Sequence, residues 1–428
     1  MKHLRSVAAL IALLICGVTA APDFEALGRD TVSELGTGAF EKVVARFDQK
    51  MTAGLPREKL EAVWQTILGK AGPFKAVTSV RIQPVPAQGV HVVVLTSAFE
   101  NMPLNIQIAF NDEGRIAGLF LLPVKPMAAE WKPAPYANES TFAETAVVVG
   151  SVNLPGTLSL PKRQDRVAAV VLVHGSGPLD RDETVGPNKV FKDLAWGLAS
   201  RGIAVLRYDK RSLVARMDTG TVKDEVIDDA VAAAQVLAAH PAVDKSRIFV
   251  LGHSLGGMLA PRIAAASPEV DGIIILAGTT RPLEEVIVEQ IRHVRGPDSP
   301  EMVAAEEFAR RVRDPKLRAE DHVNFMGTPM PAGYWLDLRG YRPELQAAAL
   351  KKPMLVLQGG RDYQVTLADF EGWKRAVEGR SHAALKLYPS LNHLFISGEG
   401  RSMPEEYLRA SHVDAQVIGD IADWIQRN

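Results

Sequence analysis

A serine hydroxyl is a poor nucleophile near neutral pH. To attack a carbonyl it needs a base to take its proton and a carboxylate to hold that base in one tautomer. Residues 252–256, Gly252-His253-Ser254-Leu255-Gly256, set a serine inside a G-x-S-x-G pattern. In an elbow of this type the serine occupies a strained backbone, and the flanking positions must lack a Cβ. Five residues recur by chance, so the pattern takes its weight from context. An apolar run over 248–251 leads in and a helical stretch from Leu255 leads out, which is the strand-turn-helix setting the elbow requires. Two further residues follow in the order Ser, Asp, His. Asp362 comes after the apolar run 354–357 and Gln358-Gly359-Gly360-Arg361, and His393 comes after 385–387 and Leu391-Asn392. Ser254 is the expected nucleophile, His393 the expected general base and Asp362 the acid that orients it. His382, His412 and Asp369 are the nearest substitutes, but the pattern places them before a strand or within helices.

Attack on a carbonyl leaves a negative oxygen, which backbone N–H groups must meet. The expected donors are Leu255, the residue after the nucleophile, and Ser176, with Gly177 as the alternative. The latter two lie in His174-Gly175-Ser176-Gly177-Pro178, directly after the apolar run 170–173. His174 is expected to brace this loop and His253 to be structural. A dinucleotide site would need G-x-G-x-x-G after a strand, and neither glycine turn continues that way. Asp180, Asp182 and Glu183 are the acidic residues near this loop. A helix-loop-helix calcium site would need a carboxylate where Phe191 stands. No metal is expected, and the acids are expected to anchor the loop through Arg181, Arg207 or Arg211.

Short apolar runs alternating with helical stretches must position these groups. Runs over 168–173, 203–206, 248–251, 273–276, 354–357 and 385–387 read as strands apolar on both faces, hence a mostly parallel sheet covered by helices. The helices fall near 190–200, 222–239, 255–266, 365–378 and 411–426, with a kink expected at Pro261. Ahead of them, 146–149 and 158–160 flank Pro155-Gly156 and predict an antiparallel hairpin. Roughly 70 residues between Leu276 and Met354 exceed a normal connection. They predict a helical cap over about 279–350, with Phe325, Met326, Met330, Tyr334 and Trp335 as candidates for a pocket or for the cap's own core.

Residues 24–68 carry helical spacing, and 90–95, 104–110 and 116–122 carry the strand period, so 21–123 predict a small α+β domain. His91 falls in a strand and reads as packing. Four prolines between 123 and 140 predict a linker over 124–140, leaving 141–428 as the catalytic domain. Lys2, His3 and Arg5 precede an apolar run over 7–18 and Val18-Thr19-Ala20, the pattern of a signal peptide over 1–20. Export to the periplasm or medium is therefore expected. The only cysteine, Cys16, lies inside it, and Ile15 is too large for a lipoprotein cleavage site. No disulfide or thiolate chemistry is expected after cleavage. With 49 basic and 50 acidic residues there is no field to recruit nucleic acid, and no further run is long enough to insert in a membrane.

Residues 141–428 resemble the α/β-hydrolase superfamily, and His174-Gly175-Ser176-Gly177-Pro178-Leu179-Asp180-Arg181-Asp182 resembles a segment of a group of bacterial serine carboxylesterases. In that group a domain of unknown function often precedes the hydrolase, and residues 24–122 look similar to it. The resemblance implies an α/β fold with Ser254, Asp362 and His393 as the triad, Leu255 and Ser176 as oxyanion donors, and no cofactor. The segment Asp209-Lys210-Arg211-Ser212 departs from a related Asp-x-Arg-Gly pattern at Ser212. Its expected partner is a small-molecule ester. A peptidase or amidase would use the same triad, and a silent binding protein the same fold. Dimerisation or other homo-oligomer formation, surface attachment and substrate presentation are the roles open to the first domain.

Overall fold

The computed structural model describes residues 22–83, 89–123, 131–215, 220–325 and 327–428. The expected signal peptide, part of the expected linker and Met326 lie outside them. The chain divides into two units, one ending at Met127 and one beginning at Ala128.

The first unit opens with helices α1 (Phe24–Gly36), α2 (Phe40–Val44), α3 (Gln49–Gly54) and α4 (Arg57–Ala71). Strands β1 (Phe74–Gln83), β2 (Val90–Phe99), β3 (Leu104–Asn111) and β4 (Ile116–Pro123) follow and pair antiparallel in chain order. Along β3, Leu104, Ile106, Ile108 and Phe110 are buried while the residues between are half-buried. This alternation supplies one wall of a core closed by Val32, Leu35 and Trp64 from the helices. Strand β1 was not legible in the sequence. Its register slips twice against β2, and no period-2 burial survives along it. His91 stacks on Phe24 and lies 2.8 Å from Asp112, a packing role.

The second unit begins with β5 (Phe142–Val149), β6 (Leu154–Pro161) and β7 (Val167–Val173). A two-residue pair, β8 (Thr184–Val185) and β9 (Asn188–Lys189), precedes α5 (Val190–Ala199), β10 (Ala204–Tyr208), α6 (Arg211–Val214) and α7 (Asp228–Ala239). Then come β11 (Val243–His253), α8 (Leu255–Ala266) and β12 (Gly272–Leu276). The cap consists of α9 (Leu283–Arg295), α10 (Pro300–Arg313), the hairpin β13 (His322–Phe325) and β14 (Thr328–Pro331), α11 (Ala332–Leu338) and α12 (Pro343–Ala349). The chain ends with β15 (Met354–Gly359), α13 (Leu367–Val377), β16 (Ala383–Tyr388) and α14 (Ala415–Arg427).

Eight of these strands form one sheet in the order β16-β15-β12-β11-β7-β10-β6-β5, parallel from β16 to β10, with β6 antiparallel to both its neighbours. Strand β7 shows why its run is apolar throughout. Ala169, Val171 and Val173 pack with Ala233 of α7 and Met258 of α8, whereas Ala168, Val170 and Leu172 pack with Leu194 of α5 and Ile418 of α14. Both faces are covered, so neither tolerates polar residues.

Three expectations need correction. The hairpin turn lies over 150–153, where Gly150 and Asn153 take positive φ; Pro155 and Gly156 are inside β6, and Gly156 pairs with Val147 and Tyr208. Residues 131–140, assigned to the linker, dock on the second unit: Trp131 packs edge-on against Trp196, Ala134 is buried, and the Tyr136 hydroxyl donates to Val413 O. The first turn of the expected helix over 222–239 is a π-helical turn at Lys223–Ile227. Helix α8 continues through Pro261 to Ala266.

Candidate active site

Strand β11 ends at His253 and α8 begins at Leu255, which leaves Ser254 as the whole of the turn. Its φ of 53° and ψ of −114° are strained for a residue with a side chain. The surrounding backbone imposes that geometry. The Ser254 N–H donates to Leu276 O at 2.9 Å. A Cβ on Gly252 would lie 2.1 Å from Gly256 O, and one on Gly256 would lie 2.1 Å from Val173 O. Both glycines are there because the strand, the turn and β7 come too close for anything larger.

Asp362 and His393 follow the ends of β15 and β16, on the same edge of the sheet. His393 Nδ1 lies 2.7 Å from Asp362 Oδ2, and both residues are buried. The other carboxylate oxygen accepts N–H bonds from Gln364 and Val365 at 2.8 and 3.0 Å, and Gln358 Nε2 donates to Oδ2 at 3.2 Å. The carboxylate is thereby fixed, and with it the imidazole. Donation from Nδ1 leaves the lone pair on Nε2, the nitrogen that can receive a serine proton. Asn392 shapes the turn that presents His393, its Oδ1 accepting the N–H groups of Leu394 and Ile396 at 3.0 and 3.2 Å. Arg361 N donates to Leu391 O at 2.9 Å and ties the acid loop to the base loop.

The loop after β7 runs beside the elbow, where a Cβ on Gly175 would lie 3.2 Å from Ser254 Cβ. The Leu255 N–H belongs to the first turn of α8, which has no intrahelical acceptor for it. Ser176 and Gly177 are exposed, and Gly177 takes φ of 98°. His174 braces the loop as expected, its Nε2 3.0 Å from Asp180 O; burial above all pushes its pKa down to about 4. A cavity of about 380 Å³ opens over Ser254 and His393, walled by Leu283, Val286 and Ile287 of α9, by Phe325 and by Tyr407.

Over residues 164–399, more than half its length, the chain matches the family described as serine aminopeptidase, S33. The chain belongs to this family. Residues 29–119 match a second family, described as protein of unknown function (DUF3887). The chain is 37% identical over 396 residues to esterase EstD of Thermotoga maritima, covering 92% of this chain and 93% of that protein. Among solved structures it is similar to the esterase domain of a Rhodothermus marinus protein, at 20% identity and a TM-score of 0.41, over 67% of this chain and 98% of that one. It is also similar to Est1E of Butyrivibrio proteoclasticus, at 15% identity and a TM-score of 0.45, over 66% and 99% of the two chains.

In this S33-family α/β-hydrolase two of the three substitutes for Asp362 and His393 are engaged elsewhere. Asp369 caps α13 and pairs with Arg281, and His412, which precedes α14 rather than lying within it, pairs with Asp193. His382 stands just before β16, as its sequence context predicted. Among the described pocket candidates only Phe325 lines the cavity. Trp335 packs in the cap's own core against Phe308, and Met330 and Tyr334 pack against the same core. Of the acids in the loop after β7, one meets an arginine of the three expected and the others find different partners. Asp182 does meet Arg207, but Arg181 forks onto Asp209 and Arg211 onto Asp229 of α7. Asp180 instead accepts from Thr184.

Glu183 turns inward, and nothing in the sequence separated it from its acidic neighbours. Held at a positive φ of 48°, it accepts the Gly175 N–H at 2.8 Å on Oε1. Its Oε2 lies 3.0 Å from His253 Nδ1, off the hydrogen-bond line, so the contact is an ion pair. His253 Nε2 donates to the His393 carbonyl at 2.9 Å. Burial opposes both charges, yet each ion overcomes it for the other: Glu183 sits below the usual carboxylate range and His253 above the usual imidazole one. This buried pair links the loop after β7, the elbow and the loop that presents His393.

Proposed function

We propose that this chain is a serine carboxylesterase acting through an acyl-enzyme on Ser254. His393 Nε2 takes the Ser254 proton as the oxygen attacks the ester carbonyl, and Asp362 holds the resulting imidazolium. The N–H groups of Leu255 and Ser176 receive the oxyanion. His393 returns the proton to the leaving alkoxide, and water then repeats the sequence on the acyl-enzyme. No resident cofactor enters these steps. The supporting observation is the Asp362 to His393 contact of 2.7 Å, with His393 and Ser254 lining one cavity.

The family description names a peptidase, but the cavity supports an ester. An aminopeptidase needs a free carboxylate for the substrate ammonium. Among the described lining residues the only carboxylate is Glu183, which is spent on Gly175 and His253. Walls of Leu, Val, Ile and Phe suit a neutral acyl group. Assays of p-nitrophenyl acetate and longer esters against aminoacyl p-nitroanilides test this. Ester turnover that vanishes in Ser254→Ala is expected. Faster anilide cleavage would overturn the ester assignment, and undiminished turnover in Ser254→Ala would overturn the mechanism. Export is part of the same proposal, supported by the basic start and apolar run over 7–18. An extracytoplasmic protein with its N-terminus at Ala21 by mass spectrometry is the expected result.

A further inference from the structure

Acyl transfer needs no lysine, yet one is buried beside the oxyanion loop. Lys210 is 2% exposed, and its Nζ donates to Gly175 O at 2.8 Å. Nearly buried Glu225 stands 3.4 Å from the same ammonium. Burial pulls the lysine down from its ordinary range, and the Glu225 charge opposes that pull. Taking a lysine out of water is costly, and a cavity wall or a loop brace could be built from apolar residues instead. What the cation touches therefore matters. It touches the carbonyl of the peptide whose N–H belongs to Ser176.

A trans peptide points its C=O and N–H in opposite directions. A cation fixed on Gly175 O thus turns the Ser176 N–H away from itself. It also withdraws electron density from the amide, which strengthens the N–H as a donor. The preceding peptide is fixed as well, its Gly175 N–H being held by Glu183 Oε1 at 2.8 Å. The loop is gripped by a buried cation on one peptide and a buried anion on the peptide before it, beside Ser254.

We propose that Lys210, held by Glu225, is a positioning residue that sets the direction and donor strength of the Ser176 N–H toward the oxyanion. The inference rests on the serine mechanism above, with Ser176 as a donor. It assigns to the Asp209-Lys210-Arg211-Ser212 segment a function in the reaction.

The test compares Lys210→Met with wild type on p-nitrophenyl acetate and measures affinity for a trifluoromethyl ketone, whose adduct with Ser254 carries the oxyanion. Expected are a fall in kcat of about 30-fold and an equal fall in ketone affinity, with KM held within about threefold, since the contact strengthens only as charge develops. Glu225→Gln keeps the lysine and its bond but removes the counter-charge. It should give a smaller loss of the same kind, and it carries the test if Lys210→Met does not fold. Folded variants with kcat and ketone affinity within about threefold of wild type would overturn the inference, as would parallel changes in KM and ketone affinity. Turnover persisting in Ser254→Ala would instead overturn the mechanism on which it rests.

Discussion

Asp362 spends both oxygens before any substrate arrives: one on His393, the other on two backbone N–H groups. Asn at this position would present an amide N–H to Nδ1 and force the proton onto Nε2, the nitrogen that must accept from Ser254. Asp362→Asn should therefore fold normally and lose kcat by about 10⁴-fold, measured with an ester substrate and a circular dichroism control. His253 permits a test through stability. Its pKa is raised above the ordinary 6.5, so its contribution is complete below that value and fades as pH rises through the folded value. Glu183 is lowered from 4.5, so its contribution is lost only as pH falls through its own folded value. The Tm gap between wild type and His253→Gln should be widest near pH 5.5 and narrow toward pH 9. A constant gap would show that His253 carries no charge. The positions of Ser254, Asp362 and His393 at strand ends were legible because each follows an apolar run. Glu183 and Lys210 were not, because their roles arise from which way a loop turns them.

At the scale of elements, the elbow is enforced by contacts between backbones rather than by side chains. Gly252→Ala would drive a Cβ to within 2.1 Å of Gly256 O. Strand β11 or helix α8 must then move. A loss of at least about 2 kcal/mol of stability is expected, with fluorophosphonate labelling of Ser254 abolished. Labelling at the wild-type rate would show that the turn has room to spare. The strands of the large sheet were readable because double-sided burial forces continuous apolar runs, as β7 shows. The hairpin turn was misplaced because Pro155-Gly156 looks like a turn by composition, whereas Gly156 lies in β6 against Tyr208. The turn lies instead where Gly150 and Asn153 supply positive φ.

For the whole molecule, the division between units after Met127 falls inside the expected linker over 124–140, but the later part of that stretch packs on the second unit. Prolines 133 and 135 sit among residues that pack on the second unit, since Trp131, Ala134 and Tyr136 reach Trp196 and Val413. Composition alone cannot separate an extended strap from a linker, because both lack periodic structure. A chain beginning at Trp131 should fold and hydrolyse esters at the full-length rate. One beginning at Thr141 should unfold at a lower temperature, by about 2–8 °C if the lost packing amounts to about 1–2 kcal/mol. Equal melting temperatures would show that the strap contributes nothing. No described helix is long and apolar enough to cross a membrane.

The Glu183 and His253 pair also has a history to reveal. Each neutralises a charge the other could not keep buried alone, so losing either one first is the costly step along a lineage. Relatives that abandon the pair should abandon both members together. Where one position turns apolar across related sequences, the other is expected to have changed in the same branch, although the two stand seventy residues apart in the chain.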